Sequence, residues 1–238
     1  MSDFSGQVVI VTGAAGNLGQ VVGRAFLSAG ATLVLTDHAT NRLHQIFSNI
    51  ADSPKHYLVD SVDATESDSV QSMVEETISR FGRVDVLVNT VGGFRGGTTV
   101  PETPLETWDL MVNLNARSVF IASRAVIPHM LQQGSGKIVS VAARSGLEGS
   151  KKNAAYSASK SAVIRLTESM AAELKGSGMN VNCILPNIID TPQNRQAMPR
   201  ADHSHWVKPE ALADVILFLA SDAAREVHGA AVPVYGKR

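Results

Sequence analysis

The chain has little of what marks several classes of protein. Its 238 residues include one cysteine, Cys183, which excludes an intrachain disulfide and favours a reducing compartment. The formal net charge of −1 gives no electrostatic basis for binding nucleic acid or an anionic membrane. No apolar stretch is predicted to span a membrane, and residues 1–6 lack the basic and apolar regions of a secretory signal. We therefore expect a soluble, cytoplasmic protein.

The seven histidines are dispersed and predict no metal site. His203 and His205 stand close together, but no cysteine or carboxylate cluster accompanies them beyond Asp202, so they are interpreted as solvated loop residues. Cys183 lies in an apolar run and is expected to be a buried structural thiol. Hydrophobic residues make up 44% of the chain, enough to fill a sizeable core.

Short apolar runs alternate with amphipathic segments along the whole chain. Strands are predicted at 7–12, 32–36, 56–59, 84–89, 137–141, 180–185 and 231–234, and helices at 18–29, 41–50, 67–81, 105–131 (one or two helices), 154–174 and 209–221. This alternation predicts an α/β fold, with residues 1–238 forming one Rossmann-type domain: a doubly wound parallel sheet of about seven strands with helices on both faces. Two irregular stretches interrupt it, at 90–102 and 186–206. A loop of the second length is usually functional, so we expect a substrate lid at about 187–206.

A glycine-rich turn joins the first predicted strand to the first helix, with Gly13, Gly16 and Gly19 around Asn17. Glycines let the backbone approach a pyrophosphate, and a helix N-terminus offers it N–H donors, although a plain tight turn would have the same composition. Asp37 ends the second strand. A carboxylate there accepts hydrogen bonds from ribose hydroxyls and repels a 2′-phosphate, which indicates NAD(H) over NADP(H). Asp37 could instead, or also, be the N-cap of the next helix.

Other polar side chains stand near the ends of predicted strands. Asn89 closes the fourth strand, on the edge that faces the ligand crevice in such sheets, and could position a cofactor. Asp63 follows the third strand and either contacts adenine or caps the next helix. Asn113 and Asn115 share a helical segment, and their spacing does not decide which one faces the site.

Tyr156 and Lys160 lie one turn apart in the predicted helix 154–174, so their side chains leave the same face. A lysine near a tyrosine favours the phenolate, so the pKa of Tyr156 is expected to fall. The phenol could then exchange a proton near neutral pH. A solvated helix face is the alternative, because this spacing often arises by chance.

Together these residues resemble the short-chain dehydrogenase/reductase family over essentially the whole chain. The family's Thr-Gly-x-x-x-Gly-x-Gly turn matches at Thr12, Gly13 and Gly19, with Asn17 in place of the middle glycine. The other motifs match at Asn89 and Gly92, at Tyr156 and Lys160, and at Pro186, where Asn187 replaces a glycine.

The resemblance implies roles for particular residues. It implies that Tyr156, Lys160 and Asn115 are catalytic; Asn115 is selected by its distance from Trp108 and Phe120, which are themselves expected in the core. It implies cofactor contacts by Gly13, Asn17, Leu18, Gly19, Asp37, Asp63, Ala64, Asn89, Gly92, Tyr156, Lys160, Pro186, Ile189 and Thr191. It further implies a homodimer or homotetramer that uses the helices holding Asn115 and Tyr156, whose alanine and serine residues permit close packing.

The chain departs from the family at one catalytic position. The family's serine, about thirteen residues before the tyrosine, corresponds to Ala143, although Ser145 could replace it through a register shift. That serine donates to the substrate oxygen as charge builds there, and losing one such donor typically costs about 10²–10³ in rate. A family branch without the serine, dihydropteridine reductase, uses NADH to reduce a quinonoid dihydropterin, and the chain is similar to it at 91–97, 142–147 and 190–206.

The sequence therefore predicts an NADH-dependent reductase of a quinonoid heterocycle such as a dihydropteridine. Tyr156 would donate the proton, Lys160 would lower its pKa, and Asn115 would hold a water or backbone link for proton supply. Phe94 and Trp206 would either flank the flat ring or pack the lid against the body. Two alternatives stay open: a general alcohol or carbonyl oxidoreductase of the 3-oxoacyl type, and a catalytically inactive NAD(H)-binding sensor or scaffold.

Overall fold

A seven-stranded parallel sheet runs through the protein, which a computed structural model describes for residues 3–236. The strands are β1 (Val8–Thr12), β2 (Thr32–Thr36), β3 (Tyr57–Val59), β4 (Val86–Asn89), β5 (Gly136–Val141), β6 (Met179–Pro186) and β7 (Ala231–Val234). Their order in the sheet is β3-β2-β1-β4-β5-β6-β7, and every neighbouring pair is parallel. The direction of strand order reverses between β1 and β4, and in such sheets ligands bind outside the carboxyl ends of the strands at this point.

Helices cover both faces of the sheet, as the alternation of segments predicts. They are α1 (Asn17–Ser28), α2 (Arg42–Ile46), α3 (Ser67–Phe81), α4 (Leu105–Val112), α5 (Ser118–Gln133), α6 (Ala154–Glu173), α7 (Pro192–Ala197) and α8 (Pro209–Ala220). One core layer packs α1 and α8 on the sheet through residues such as Phe26 and Ile216. The other packs α3, α5 and the end of α6, with Val74 and Met130 fully or nearly fully buried. Cys183 is buried, as predicted.

Two segments differ from their prediction. The helix expected at 41–50 is limited to Arg42–Ile46, because Asn41 before it adopts a left-handed conformation (φ 60°) and turns follow it. The segment 187–206 is not structureless, since it contains α7 and a short 3-10 turn at His203–His205. A parallel bridge between Ile189 and Val207 closes its base.

The segment predicted as one or two helices at 105–131 forms a continuous helical run. A π-helical turn at Asn113–Arg117 joins α4 to α5, and the run extends to Gln133. Within residues 3–236, this run, Leu105–Gln133, is the one helix whose length and apolar composition alone would allow it to cross a membrane, which corrects the expectation of no such stretch. The apolar window is 56% buried inside the protein, as in a helix packed on a sheet. Trp108 and Phe120 are 44% and 50% exposed, so the prediction that they belong to the core is wrong.

Candidate active site

The predicted site residues come together at the carboxyl edge of the sheet. Gly13 follows β1, Asn89 is the last residue of β4, and Ala143 follows β5. Pro186 is the last residue of β6 and is buried, whereas Asn187 after it is exposed. Parallel strands thus bring residues from four distant parts of the chain to one crevice.

The glycine-rich turn forms a tight connection into α1. Gly13 has a positive φ of 66°, and a side chain at Gly19 would overlap the Gly13 carbonyl oxygen, so both positions require glycine. Gly16 is the N-cap of α1 and supplies no side-chain cap, and the first turn holds no acidic residue. The N–H groups of Asn17, Leu18 and Gly19 are therefore available to an anion, which fits a dinucleotide pyrophosphate.

Asp37 is fixed against this turn. Its carboxylate is 6% exposed; Oδ2 accepts the Ala15 N–H at 3.0 Å and Oδ1 accepts the Ala39 N–H at 3.1 Å. His38 Nδ1 lies 3.3 Å from Oδ1. The alternative role as an N-cap is wrong, because α2 begins after Asn41.

Asp63 and Ala64 lie in the loop between β3 and α3. Asp63 Oδ1 accepts hydrogen bonds from the N–H and the hydroxyl of Thr65 at 2.8 and 2.7 Å. These bonds hold the pKa of the Asp63 carboxyl below its ordinary value. The N-cap of α3 is Glu66, so Asp63 orders the approach to the helix rather than capping it. Asp63 is exposed and Ala64 half-buried, so both are accessible to a ligand.

Asn89 is almost fully buried, at 2% exposure. Its Nδ2 donates to Ser140 Oγ at 3.1 Å, whereas Oδ1 has no hydrogen-bond partner among the described residues. A buried acceptor without a partner carries a desolvation cost that a donor from a bound ligand would relieve. This is a second feature that fits a nucleotide in the crevice.

The structure distinguishes the two candidate asparagines. Asn113 is exposed, whereas Asn115 is fully buried in the π-helical turn. Asn115 Oδ1 accepts the Gly93 N–H at 3.0 Å, and Nδ2 donates to the Gly93 carbonyl at 3.1 Å and to Ser159 Oγ at 3.0 Å. The side chain thus fixes the loop after β4 to α6. Ser159 was not singled out from the sequence, although its place directly before Lys160 was a possible signal.

Lys160 and Asn115 meet at Gly92. A Cβ on Gly92 would lie 2.9 Å from Asn115 Oδ1 and 3.2 Å from Lys160 Nζ, so glycine is needed for this approach. Lys160 is 5% exposed, and its Nζ donates to the Val141 carbonyl at 2.8 Å. Tyr156, one turn earlier on α6, is half-buried.

The pKa values depart from the expectation for this pair. Burial raises the pKa of Tyr156 to about 12, so the predicted decrease is wrong for the protein without cofactor. Burial also lowers the pKa of Lys160 to about 8, with the nearby Cys183 thiol opposing that decrease. The physical reason is that desolvation disfavours both charged forms, and the lysine N–H bond is directed at Val141. Tyr156 is therefore a neutral phenol near pH 7 and can donate a proton.

Ala143 stands where the family has its serine. It is 5% exposed and extended, and a 3-10 turn, Arg144–Gly146, follows it. The register is fixed up to this point, because Val141 pairs with Ile184 and the Ala142 N–H donates to the Ile184 carbonyl at 2.9 Å. Ser145 is half-buried in the turn.

The turn after Ala143 packs on α6. A Cβ at Gly146 would lie 2.8 Å from the Lys160 backbone carbonyl, so this contact is close. The segment that contains Ala143 is therefore joined to Lys160 on both sides, through the Val141 carbonyl before it and Gly146 after it.

Aromatic side chains lie on two sides of the site. The Phe94 ring meets the Tyr156 ring edge to face, with centroids 5.0 Å apart, and is 56% exposed. Trp206 is 8% exposed and packs on His203, with ring centroids 4.2 Å apart. The two roles considered were contact with a flat substrate ring and packing within the protein. Trp206 is packed within the protein, whereas Phe94 is exposed and can contact a ligand.

The remaining predicted contacts lie in the segment predicted to be a lid. Thr191 is 7% exposed, and its hydroxyl caps α7 by accepting the Asn194 N–H at 3.2 Å. Ile189 is half-buried, and its carbonyl accepts Asn194 Nδ2 at 2.8 Å. Both therefore shape the segment 187–206 around α7.

The sequence model of the family described as "short chain dehydrogenase" matches residues 7–202 of this chain. The 3-oxoacyl-(acyl-carrier-protein) reductase of Thermotoga maritima is 33% identical over 98% of this chain and 98% of its own. The 2-(R)-hydroxypropyl-CoM dehydrogenase of Xanthobacter autotrophicus is 32% identical over 97% of each chain. The meso-2,3-butanediol dehydrogenase of Serratia marcescens is 33% identical over 98% of this chain and 94% of its own.

Solved structures are similar to this chain over nearly its whole length. The crystal structure titled gox2181 is 30% identical and covers 98% of this chain and 95% of that one, with a TM-score of 0.88. An NAD+-bound xylitol dehydrogenase is 25% identical and covers 98% of this chain and 99% of that one, with a TM-score of 0.88.

Proposed function

This chain belongs to the short-chain dehydrogenase family of NAD(P)-dependent oxidoreductases, and on that premise we propose that it uses NADH to reduce a quinonoid heterocycle such as a quinonoid dihydropteridine. The observation that carries the substrate proposal is Ala143. A buried methyl group stands two residues beyond Val141, whose carbonyl accepts Lys160 Nζ, at the position where the family's hydroxyl would stabilise charge on a substrate oxygen. The cofactor and the proton path are argued separately below.

NADH is the proposed cofactor because of Asp37. Two backbone N–H bonds hold its buried carboxylate at the end of β2, against the turn that would bind the pyrophosphate. A ribose 2′-hydroxyl can donate to such a carboxylate, whereas a 2′-phosphate would be repelled by it. The first turn of α1 would hold the pyrophosphate, and Lys160 the nicotinamide ribose. When bound, the cofactor supplies the hydride.

Tyr156 is the proposed proton donor. Its phenol is neutral at neutral pH, because burial raises its pKa to about 12. Lys160 holds its own position through Val141, and Asn115 fixes the loop after β4 through Gly93. Reduction of the quinonoid ring consumes one hydride and one proton, and restores a fully conjugated pyrimidine. No alkoxide forms on this route, so the missing hydroxyl at residue 143 costs little.

A second candidate, a general alcohol or carbonyl oxidoreductase, is favoured by the relatives. Those described above are a reductase of 3-oxoacyl groups and dehydrogenases of alcohols. Ser145 lies two residues beyond Ala143 on a turn packed against α6, and its hydroxyl or a water molecule would then replace the missing donor.

One assay separates these candidates. Oxidation of NADH is followed with quinonoid dihydropterin generated in the cuvette, in parallel with a panel of simple ketones, and with NADPH and a Tyr156→Phe variant as controls. Rapid turnover of the pterin alone, with NADH preferred and the rate lost in Tyr156→Phe, supports the first proposal. Turnover of ketones alone, lost in Ser145→Ala, supports the second.

Tight NADH binding without any turnover would contradict both candidates and would favour an NAD(H)-binding sensor. Tyr156, Lys160 and Asn115 are all present and brought to one site, which supports an enzyme. We also propose that the protein acts in the cytoplasm, that residues 187–206 form a lid over a small-molecule substrate, and that the chain forms a homodimer or homotetramer.

A further inference from the structure

A hydrogen bond between two side chains joins the lid to the glycine-rich turn. Asn17 is the first residue of α1, and its Nδ2 donates to Oε1 of Gln193 on α7 at 2.8 Å. We propose that Asn17 is a positioning residue that holds the lid over a bound dinucleotide and slows the release of that dinucleotide. The part of this proposal that concerns the dinucleotide rests on the function proposed above.

The helix that carries Gln193 is built as a small rigid unit. Thr191 caps its first turn, and Asn194 Nδ2 donates to the Ile189 carbonyl at 2.8 Å. Arg195 and Asp190 form a two-point ion pair, with N–O distances of 2.5 and 2.8 Å. When Gln193 moves, we therefore expect the whole of α7 to move with it.

The base of the lid is a narrow connection. Ile189 and Val207 form a single bridge, in which the Asp190 N–H donates to the Val207 carbonyl at 2.8 Å and the Val207 N–H to Ile188 at 2.9 Å. Rotation about this bridge would lift the segment between Ile189 and Val207. The bond from Asn17 to Gln193 opposes this motion at the far end.

Residue 17 lies where a bound phosphate is expected. The free N–H groups of the first α1 turn begin at Asn17, and helix N-termini of this kind bind anions. A side chain that reaches from this residue to the lid therefore joins the lid to the edge of the phosphate site. Breaking the bond would free the lid from that edge.

The connection depends on the residue type. Family turns have glycine at this position, which has no side chain to reach the lid. Asn17 does not have a positive φ, so nothing in its backbone conformation requires glycine there. Asn17, in place of the family's glycine, thus adds to the turn a side chain that can reach the lid.

The expected effect is moderate, because one neutral hydrogen bond changes an equilibrium constant by about 2- to 10-fold. The primary test is the rate of NADH release, measured by stopped-flow fluorescence in wild type, Asn17→Ala, Gln193→Ala and the double variant. We expect each single change to speed release by about 2- to 10-fold and the double variant to match the larger single effect. Gln196→Ala, an exposed change on the same helix, should leave the rate unchanged.

A second readout needs no cofactor. Arg200 is an exposed trypsin site within the lid. Cleavage after Arg200 in the free protein should speed up by a similar factor in Asn17→Ala and Gln193→Ala, but not in Gln196→Ala. This measurement tests whether the bond restrains the lid even if NADH proves to be the wrong nucleotide.

The outcomes can be told apart. Unchanged release and unchanged cleavage in both single variants would overturn the proposal. Additive effects on release would mean that Asn17 and Gln193 act separately, which also overturns it. If wild type failed to bind NADH, the proposed function would fail, while the cleavage rates would still decide whether the bond holds the lid.

Discussion

Residue 143 carries a methyl group at a point where a hydroxyl would change the chemistry of the site. Its backbone is extended and its side chain is buried, so serine can occupy the position without backbone rearrangement. A donor aimed at a developing oxyanion is worth about 10²–10³ in rate, whereas a quinonoid ring develops no such charge.

Ala143→Ser should therefore separate the two substrate classes. We expect kcat/KM for simple ketones to rise by about 10- to 100-fold and turnover of the quinonoid pterin to change by less than about 3-fold. Steady-state kinetics on both substrates check this, with Ser145→Ala as the control. If Ser145→Ala abolished ketone turnover and Ala143→Ser added none, Ser145 would be the working donor.

Lys160 should leave a signature in the pH dependence of stability. Its pKa is about 8 in the folded protein against an ordinary value of 10.5, so between these values the unfolded chain binds more protons than the folded one. Stability therefore rises with pH through this window, and this contribution is lost as the pH falls through 8. The limiting slope is about 1.4 kcal/mol per pH unit.

The variant Lys160→Met removes this titration. We expect the free energy of unfolding of wild type, relative to Lys160→Met, to increase by about 1 kcal/mol between about pH 8 and pH 9. Urea unfolding at these two values measures it, and the titration of Cys183, whose pKa burial raises from 9.0 to about 11, is common to both proteins and cancels in the difference. Parallel pH profiles for the two proteins would show that Lys160 titrates normally.

At the scale of elements, the loop after β4 positions Phe94 on Tyr156. The loop is docked on the approach to α6, because the Gly97 N–H donates to the Lys152 carbonyl at 2.8 Å. Gly96 lies in the contact, where a Cβ would overlap Asn153 Oδ1 and would be 2.9 Å from Phe94 Cζ and 3.0 Å from the Lys152 carbonyl oxygen. A side chain there must displace Asn153 together with the loop or the phenylalanine.

Gly96→Ala should impair substrate turnover while sparing the cofactor. We expect kcat/KM for the substrate to fall by about 10-fold or more, because small displacements at a site carry large costs, and the Kd for NADH to stay within about 2-fold. Gly149→Ala is a matched control, since a Cβ there meets no atom within 4 Å. Equal effects of the two substitutions would mean that the loop contact does not position the site.

The elements themselves were largely predictable, and the reason lies in the sheet. Parallel strands buried on both faces give continuous apolar runs, and their carboxyl ends meet at one edge, so residues such as Asp37 and Asn89 could be placed from sequence. The direction in which a side chain points could not be predicted from the sequence. The bond from Lys160 to Val141, and with it the raised pKa of Tyr156, depends on packing that no spacing encodes.

The same limit explains Trp108 and Phe120. The sequence does not distinguish an apolar helix residue that faces the protein's own core from one that faces outward. The small residues Ala122 and Ala125 of α5, expected to permit contact with a second copy, are buried in the protein's own core. Larger apolar side chains occupy the outer face instead.

At the scale of the whole molecule, the helical run of α4 and α5 carries large exposed apolar side chains. Leu105 is 76% exposed, Leu110 is 43% exposed, and Trp108 and Phe120 are about half exposed. Several exposed apolar side chains on one helical run favour an interaction site, and a second copy of the chain is the partner that the family resemblance implies.

Phe120→Asp should disrupt that association. A carboxylate buried without a partner at the centre of an interface costs several kcal/mol, enough to raise a dimer dissociation constant by about 10²-fold or more. Light scattering at micromolar concentration should give a dimer or tetramer for wild type and at most half that mass for Phe120→Asp. Gln71→Asp, which places the same charge at an exposed position of α3, should leave the mass unchanged. A monomeric wild type would contradict the proposed assembly, and an unchanged mass in Phe120→Asp would place the interface on another face.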